Sequence, residues 1–502
     1  MDDPRLRATC DLMIPEAREY VGLHDYDGIV QDLSQSGVRA ALDRLGGPPL
    51  DDPHDEAQLA TFEEHLRVTY RELELHRRNP LIHAANLDVS GYDRAYAPEP
   101  ERAAAKRRHL AAWPDAVDAA ISALDAVPAP VAEALIGPVA GLSAGLDPDR
   151  DEVERAALDA HARLVAHVEL AARSGPPDAA LGEAALRRLM GSGEALELDL
   201  GQLAASADAE RDRLRALLTE SCRALEPGAA PEELVGRLLA DHPDAGGVLD
   251  EARALTAEVI DFTRDHDLVP HVDGECLVGP APESRRWAMA MMSPAAPYED
   301  EGPSWYHVTP PEPSWPRDEQ EDWLSVFNRT SLPAITAHEV SPGHFAHGRS
   351  LRRAATPVRR ALHSGSFVEG WAHYAEEMML EEGFRGGDPR YAVGVCLEAL
   401  VRVTRLACAI GLHTGAMTVD DATRRFAEDA FLKGPAARSE ANRGTFDPTY
   451  GRYTWGKLAI LDLRERARAA WGAGYSARRF HAAMLDLGSP ALGLLGTAIE
   501  RG

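Results

Sequence analysis

The stretch Thr336 to Ser350, T-A-H-E-V-S-P-G-H-F-A-H-G-R-S, places His338, Glu339 and His344 within two turns of chain. A histidine followed at once by a glutamate suits a zinc hydrolase: the imidazole ligates the metal, and the carboxylate takes a proton from water. In H-E-x-x-H the two histidines lie four residues apart and share a helix face. Here the second candidate comes six residues after the first, about 240° around a regular helix. Pro342 cannot donate to the carbonyl of His338, and its ring clashes there, so the helix must kink or widen. Pro342-Gly343 is therefore read as a distortion that swings His344 back toward His338, the plainer alternative being a helix that ends at Ser341 and leaves His344 in a loop. Phe345 is assigned to the core. His347 is expected at the surface or behind the ligands.

A third ligand is expected from Ser366 to Glu382, S-F-V-E-G-W-A-H-Y-A-E-E-M-M-L-E-E, where Glu369, His373 and Glu376 fall on one helix face. Glu369 would complete a His-His-Glu set with a fourth position open to water. His373 is the runner-up.

These motifs need a scaffold, and the chain has enough length for one large helical domain or for two lobes sharing a cleft. Residues 1–268 read as a helical scaffold, with amphipathic patterns at Val153 to Arg173 and Ala207 to Leu225 closed by Gly175-Pro176-Pro177 and Glu226-Pro227-Gly228. Residues 269–318 carry ten prolines and exclude continuous helix, so Trp287 to Met292 and Trp305 to Thr309 are predicted as short strands. Such a strand could line a cleft and pair with an extended substrate. Residues 319–502 return to helix and hold the metal motifs, and the three segments are expected to form one continuous fold. The fold class is mostly α with a small β element.

A formal charge of −28 argues against nucleic acid or anionic membrane as partners, since both require a basic footprint. Five scattered cysteines without a C-x-x-C pair indicate neither a disulfide framework nor a thiolate metal site. With no apolar leader and no run long enough to span a bilayer, the chain is expected to be cytoplasmic. The oligomeric state stays open, a homodimer included.

Further candidates surround the motif. Tyr391 to Ile410 is an apolar helix running into G-L-H-T-G, which would leave His413 exposed at a helix end, placed to steady an oxyanion. Arg402 and Arg405 on that segment could pair a substrate carboxylate. Arg443 to Arg464 sets Tyr450, Arg452 and Tyr453 among glycines, and either tyrosine could donate to an oxyanion. Asn328, just upstream of the metal motif, is a further candidate for substrate binding.

Taken together, H-E-x-x-P-G-H, E-G-W-A-x-Y-A-E, G-L-H-T-G and D-P-x-Y-x-x-Y-T-x-G-K, with Tyr20 to Ser34 near the start, resemble domain-of-unknown-function family 885. Its fold is similar to that of the carboxypeptidase Taq metallopeptidases. The resemblance implies a largely helical body with a deep central cleft and zinc at its floor. It further implies His338, His344 and Glu369 as ligands, Glu339 as base, and His413 with Tyr450 or Tyr453 near the substrate. Phe345, His347 and Ala409 depart from the commoner pattern of the family and leave the proposed ligands and base intact.

The expected activity is zinc-dependent hydrolysis of an amide or peptide bond in a small substrate, a short peptide or an N-acyl amino acid. A carboxypeptidase would need a cation for the terminal carboxylate, with Arg402, Arg405 and Arg452 as nominees. The rival readings are a lyase or an iron-dependent oxidative enzyme on the same three ligands, and a non-catalytic helical binding protein.

Overall fold

The fold was analysed in a computed structural model of the chain, which describes residues 3–282, 285–286 and 289–502. Helices dominate from end to end, and their boundaries follow local chemistry. Asp151 caps Glu152–Ser174 by accepting from the amides of Val153 and Glu154. Ser364 caps Gly365–Glu381 through the amide of Phe367. Gly415, at φ 75°, closes Arg390–Thr414 in the left-handed conformation that favours glycine.

The proline-rich stretch folds into a three-stranded sheet of β1 (Cys276–Gly279), β2 (Ala290–Ser293) and β3 (Ser304–Val308), in the order β1-β3-β2. β1 runs parallel to β3 and β2 antiparallel to it, with Tyr306 opposite Val278 and Met292. Two of these strands answer to the predicted ones. β1 was not anticipated, and the Trp287 and Ala288 end of the first predicted strand lies outside the described residues. The sheet lies against the helix that carries the metal motif: Tyr306 is fully buried, and its hydroxyl is 3.3 Å from Thr336 Oγ1.

Arg390–Thr414 is buried on nearly every side, as expected for a helix apolar all round. It lies along Leu200–Leu225 and packs onto Leu332–Glu339. At the second contact Gly394 meets backbone, since a β-carbon there would stand 2.0 Å from the carbonyl oxygen of Thr330. The largest apolar cluster extends from Leu186 to Ala498 and gathers all these helices around Phe327, Trp371 and Tyr374. Smaller clusters hold the N-terminal helices together.

Candidate metal centre

The helix bearing His338 spans Leu332–Glu339, with Pro333 in its first turn, where a missing amide is harmless. Pro342 then breaks it. The chain turns through Val340 to Gly343, and a new helix, His344–Leu351, opens on the second histidine. The outcome lies between the two geometries the spacing allows. The helix stops earlier than Ser341, and His344 begins a second helix where a single kinked helix or a loop was expected. Gly343 is obligatory because a β-carbon there would lie 1.8 Å from the carbonyl oxygen of His338. The carbonyls freed at the break are not left bare: the indole Nε1 of buried Trp371 donates to Pro342 at 3.0 Å and to Gly343 at 3.3 Å.

The turn brings the two imidazoles to a centroid separation of 4.8 Å at nearly a right angle. Glu369 Oε2 lies 3.6 Å from His338 Nε2 and 3.5 Å from His344 Nε2. The three ligand atoms all fall within 4.8 Å of one another. Ligands about 2.1 Å from a tetrahedral ion stand roughly 3.4 Å apart, so the separations to Glu369 match the edges of a zinc site. Burial alone would raise the Glu369 carboxyl, but the two imidazoles reverse this and hold it well below the ordinary carboxylate range. The same three residues could hold another divalent ion that accepts nitrogen and oxygen donors.

Each position of E-G-W has its own contact. Glu369 meets the histidines, and Trp371 fastens the turn between them. Gly370 lets the helix cross Arg452–Trp471 backbone to backbone, since a β-carbon on Gly370 would stand 2.5 Å from the Cα of Gly456. The crossing brings Tyr453 to the cluster, its ring 6.3 Å from that of His338 and inclined by 25°.

Behind the ligands, fully buried Glu376 Oε1 lies 2.7 Å from His338 Nδ1, and its other oxygen accepts from Arg402 at 3.0 Å. A carboxylate there keeps the proton on Nδ1 and turns the Nε2 lone pair toward the cluster. Glu376 shares the helix face of Glu369, and that spacing was the only sequence signal of its role. His373, the runner-up ligand, is buried with its Nδ1 3.5 Å from Glu376 and belongs to this inner layer. Glu398, 3.5 Å from Arg402, is a further acidic neighbour that sequence reasoning missed.

Other candidates fall elsewhere. His413 is buried and not exposed at a helix end; its Nε2 donates to the carbonyl of Gly444 at 2.8 Å, and burial lowers its pKa to about 4. The helix continues through Thr414, which hides the ring. Tyr450 is fully buried with its hydroxyl against Gly444. Asn328 is a cap: its Oδ1 accepts from the amides of Thr330 and Ser331 at 3.0 and 2.8 Å, ordering the entry to the His338 helix. His347 is not at the surface but buried between Phe367 and the Gly488–Ser489 turn. Arg402 and Arg405 do lie beside the centre, their guanidinium carbons 5.8 and 5.3 Å from the Tyr453 ring centroid. Glu339, half-buried in the last helical turn beside His338, forms no ion pair among the described residues.

Residues 15–499 match the family described as bacterial protein of unknown function (DUF885), and the chain belongs to that family. No curated protein matches it. Two solved structures share the fold. A "putative lipoprotein of unknown function" from Shewanella oneidensis aligns over 98% of this chain and 96% of its own, at 19% identity and a TM-score of 0.77. A "putative lipoprotein" from Colwellia psychrerythraea aligns over 99% and 97%, at 16% identity and a TM-score of 0.79. These neighbours overturn the cytoplasmic placement expected from the sequence. A lipoprotein is held at a membrane by covalent lipid and needs no spanning helix. That no helix among the described residues can cross a membrane therefore does not place the chain in the cytoplasm.

Proposed function

We propose that the chain is a zinc-dependent hydrolase that cleaves an amide or peptide bond of a small substrate, a short peptide or an N-acyl amino acid. The observation that carries this reading is the convergence of His338 Nε2, His344 Nε2 and Glu369 Oε2 within 4.8 Å of one another, with the carboxylate of Glu339, free of any ion pair among the described residues, next in sequence to the first ligand. When bound, the ion would supply Lewis acidity, polarising the scissile carbonyl and acidifying water.

The chain's own groups do the rest. Glu339 takes the proton from the attacking water and returns it to the leaving amine. The hydroxyl of Tyr453 donates to the oxygen that becomes negative in the tetrahedral transition state. Glu376 and Arg402 hold His338 in one tautomer and orientation throughout. The reading includes a cleft above the centre, as the resemblance to carboxypeptidase Taq enzymes implies. β2 forms one edge of the sheet beside the metal helix and could pair with an extended peptide.

The test begins with metal analysis of protein purified without added metal, followed by a screen of dipeptides and N-acyl amino acids with the wild type and Glu339→Gln. One equivalent of zinc, turnover by the wild type, and a metal-loaded variant that is inert are the expected results. Iron with redox turnover would favour the oxidative reading of the same ligands. Unchanged turnover in Glu339→Gln would remove the mechanism, and a metal-free, folded protein that binds small molecules would favour a binding role.

A further inference from the structure

The hydrolase reading leaves open which of its substrates the site prefers, and the charges along one helix bear on this. Glu398, Arg402 and Arg405 stand at i, i+4 and i+7 of Arg390–Thr414, so their side chains share a face. At about 1.5 Å of rise per residue, the ends of that face lie about 10 Å apart. The face borders the metal centre. Arg402 Nη2 stands 3.5 Å from His338 Nδ1, and the guanidinium carbons of Arg402 and Arg405 lie 5.8 and 5.3 Å from the ring centroid of Tyr453.

The two ends of the face differ in charge. At one end Glu376 and Glu398 share Arg402: Glu376 accepts from it at 3.0 Å, and Glu398 lies 3.5 Å away with no other hydrogen bond or ion pair among the described residues. Two carboxylates on one guanidinium leave this end negative. A ligand can reach that charge at Glu398, whose side chain is 26% exposed, but not at Glu376, which is fully buried. Burial pushes the Glu398 carboxyl up, and Arg402 offsets this only in part. At the other end three guanidiniums meet two carboxylates. Arg405 pairs with Glu440 through Nε and Nη2 at 2.7 and 2.6 Å and keeps Nη1 without a partner among the described residues, while Arg443 and Arg452 share Asp447. This end is left positive, and the charges of all three arginines reach the hydroxyl of Tyr453.

Building on the hydrolase reading, we infer that the site prefers a peptide of two or three residues with both termini free, its ammonium received by Glu398 and its terminal carboxylate by Arg405. An extended chain of about 3.3–3.6 Å per residue fits the interval between the two ends, and an ion pair at each end fixes its register. The amide between the charged ends then lies along Arg402, beside His338. An N-acyl amino acid satisfies only the Arg405 end and is the weaker ligand.

Calorimetric titration of the zinc-loaded protein with a phosphinic pseudodipeptide, its N-acetyl derivative and its C-terminal carboxamide tests this. One charge-assisted contact is worth roughly tenfold to a hundredfold in affinity, so each capped compound should bind that much more weakly than the parent. Glu398→Gln should abolish the preference for the free amine while keeping zinc content and the preference for the free carboxylate. Arg405→Gln combined with Glu440→Gln removes that pair together, leaves neither partner as a lone charge, and should do the reverse. Equal affinity for the parent and either capped compound would overturn the inference, and so would a preference that survives its own variant, because another group would then be reading that terminus. If all three compounds bind alike, the inference fails alone. If zinc is bound and none of them binds, the hydrolase reading fails first and the inference falls with it.

Discussion

Glu376 Oε1 lies 2.7 Å from Nδ1 of His338, and both side chains are buried. The pair fixes which imidazole nitrogen carries a lone pair toward Glu369 and His344. Removing the charge in Glu376→Gln should weaken metal binding by roughly tenfold to a hundredfold while circular dichroism stays native. Competition with a chromogenic chelator measures this, and Glu376→Asp should recover part of the loss. Equal affinity in all three proteins would mean that Glu376 only fills space.

The crossing of the two helices at Gly370 and Gly456 makes a sharper prediction. A β-carbon on Gly456 would lie 1.8 Å from the carbonyl oxygen of Ser366, a contact with backbone that cannot rotate away. Gly456→Ala should destabilise by about 3 kcal/mol or more and lower bound metal, because Glu369 must shift with its helix. Gly236→Ala is the matched control. That exposed glycine sits within the helix Pro231–Leu239, where an added methyl would meet nothing within 4 Å, and the change should stabilise by about 0.5–1 kcal/mol. Thermal melts of both variants decide the point.

Asn328 separates a structural role from the substrate role its position suggested. Its side chain accepts two backbone amides ahead of the His338 helix, so Asn328→Ala should lower stability by about 1 kcal/mol. Zinc content and turnover per bound zinc should not change. A raised KM without loss of stability would restore the substrate assignment.

His24, in the N-terminal stretch that resembles the family, stacks on Tyr96 at 3.9 Å between Asp27 and Glu299. Burial pushes its pKa down, but the bonds to those two carboxylates prevail and raise it to about 9. A histidine whose folded pKa exceeds its unfolded value of about 6.5 stabilises fully below that value. The contribution is then lost as pH rises from about 6.5 through 9. Its size is roughly 1–3 kcal/mol after allowance for partial exposure. His24→Gln should therefore melt lower than the wild type at pH 6, and the gap should close by pH 10. A gap independent of pH would show that the imidazole acts by packing alone.

By itself the sequence determined what depends on near neighbours along the chain. An amphipathic pattern of helical period marked Val153 to Arg173 as a helix and a long apolar run marked Tyr391 to Ile410, and both are found within longer ones, Glu152–Ser174 and Arg390–Thr414. Pro342-Gly343 announced a distortion, and Glu369, His373 and Glu376 stood out as one helix face, because helix periodicity and proline's missing amide act over a few residues. The tertiary structure decided everything that joins distant segments. It folded the break into two helices held by Trp371 and turned His413 into a buried donor to Gly444. It seated Glu376 behind His338 and paired Arg405 and Arg452 with Glu440 and Asp447. A side chain's charge and hydrogen-bonding capacity are written in its type, but whether they are already satisfied depends on which remote backbone and side chains packing brings against it.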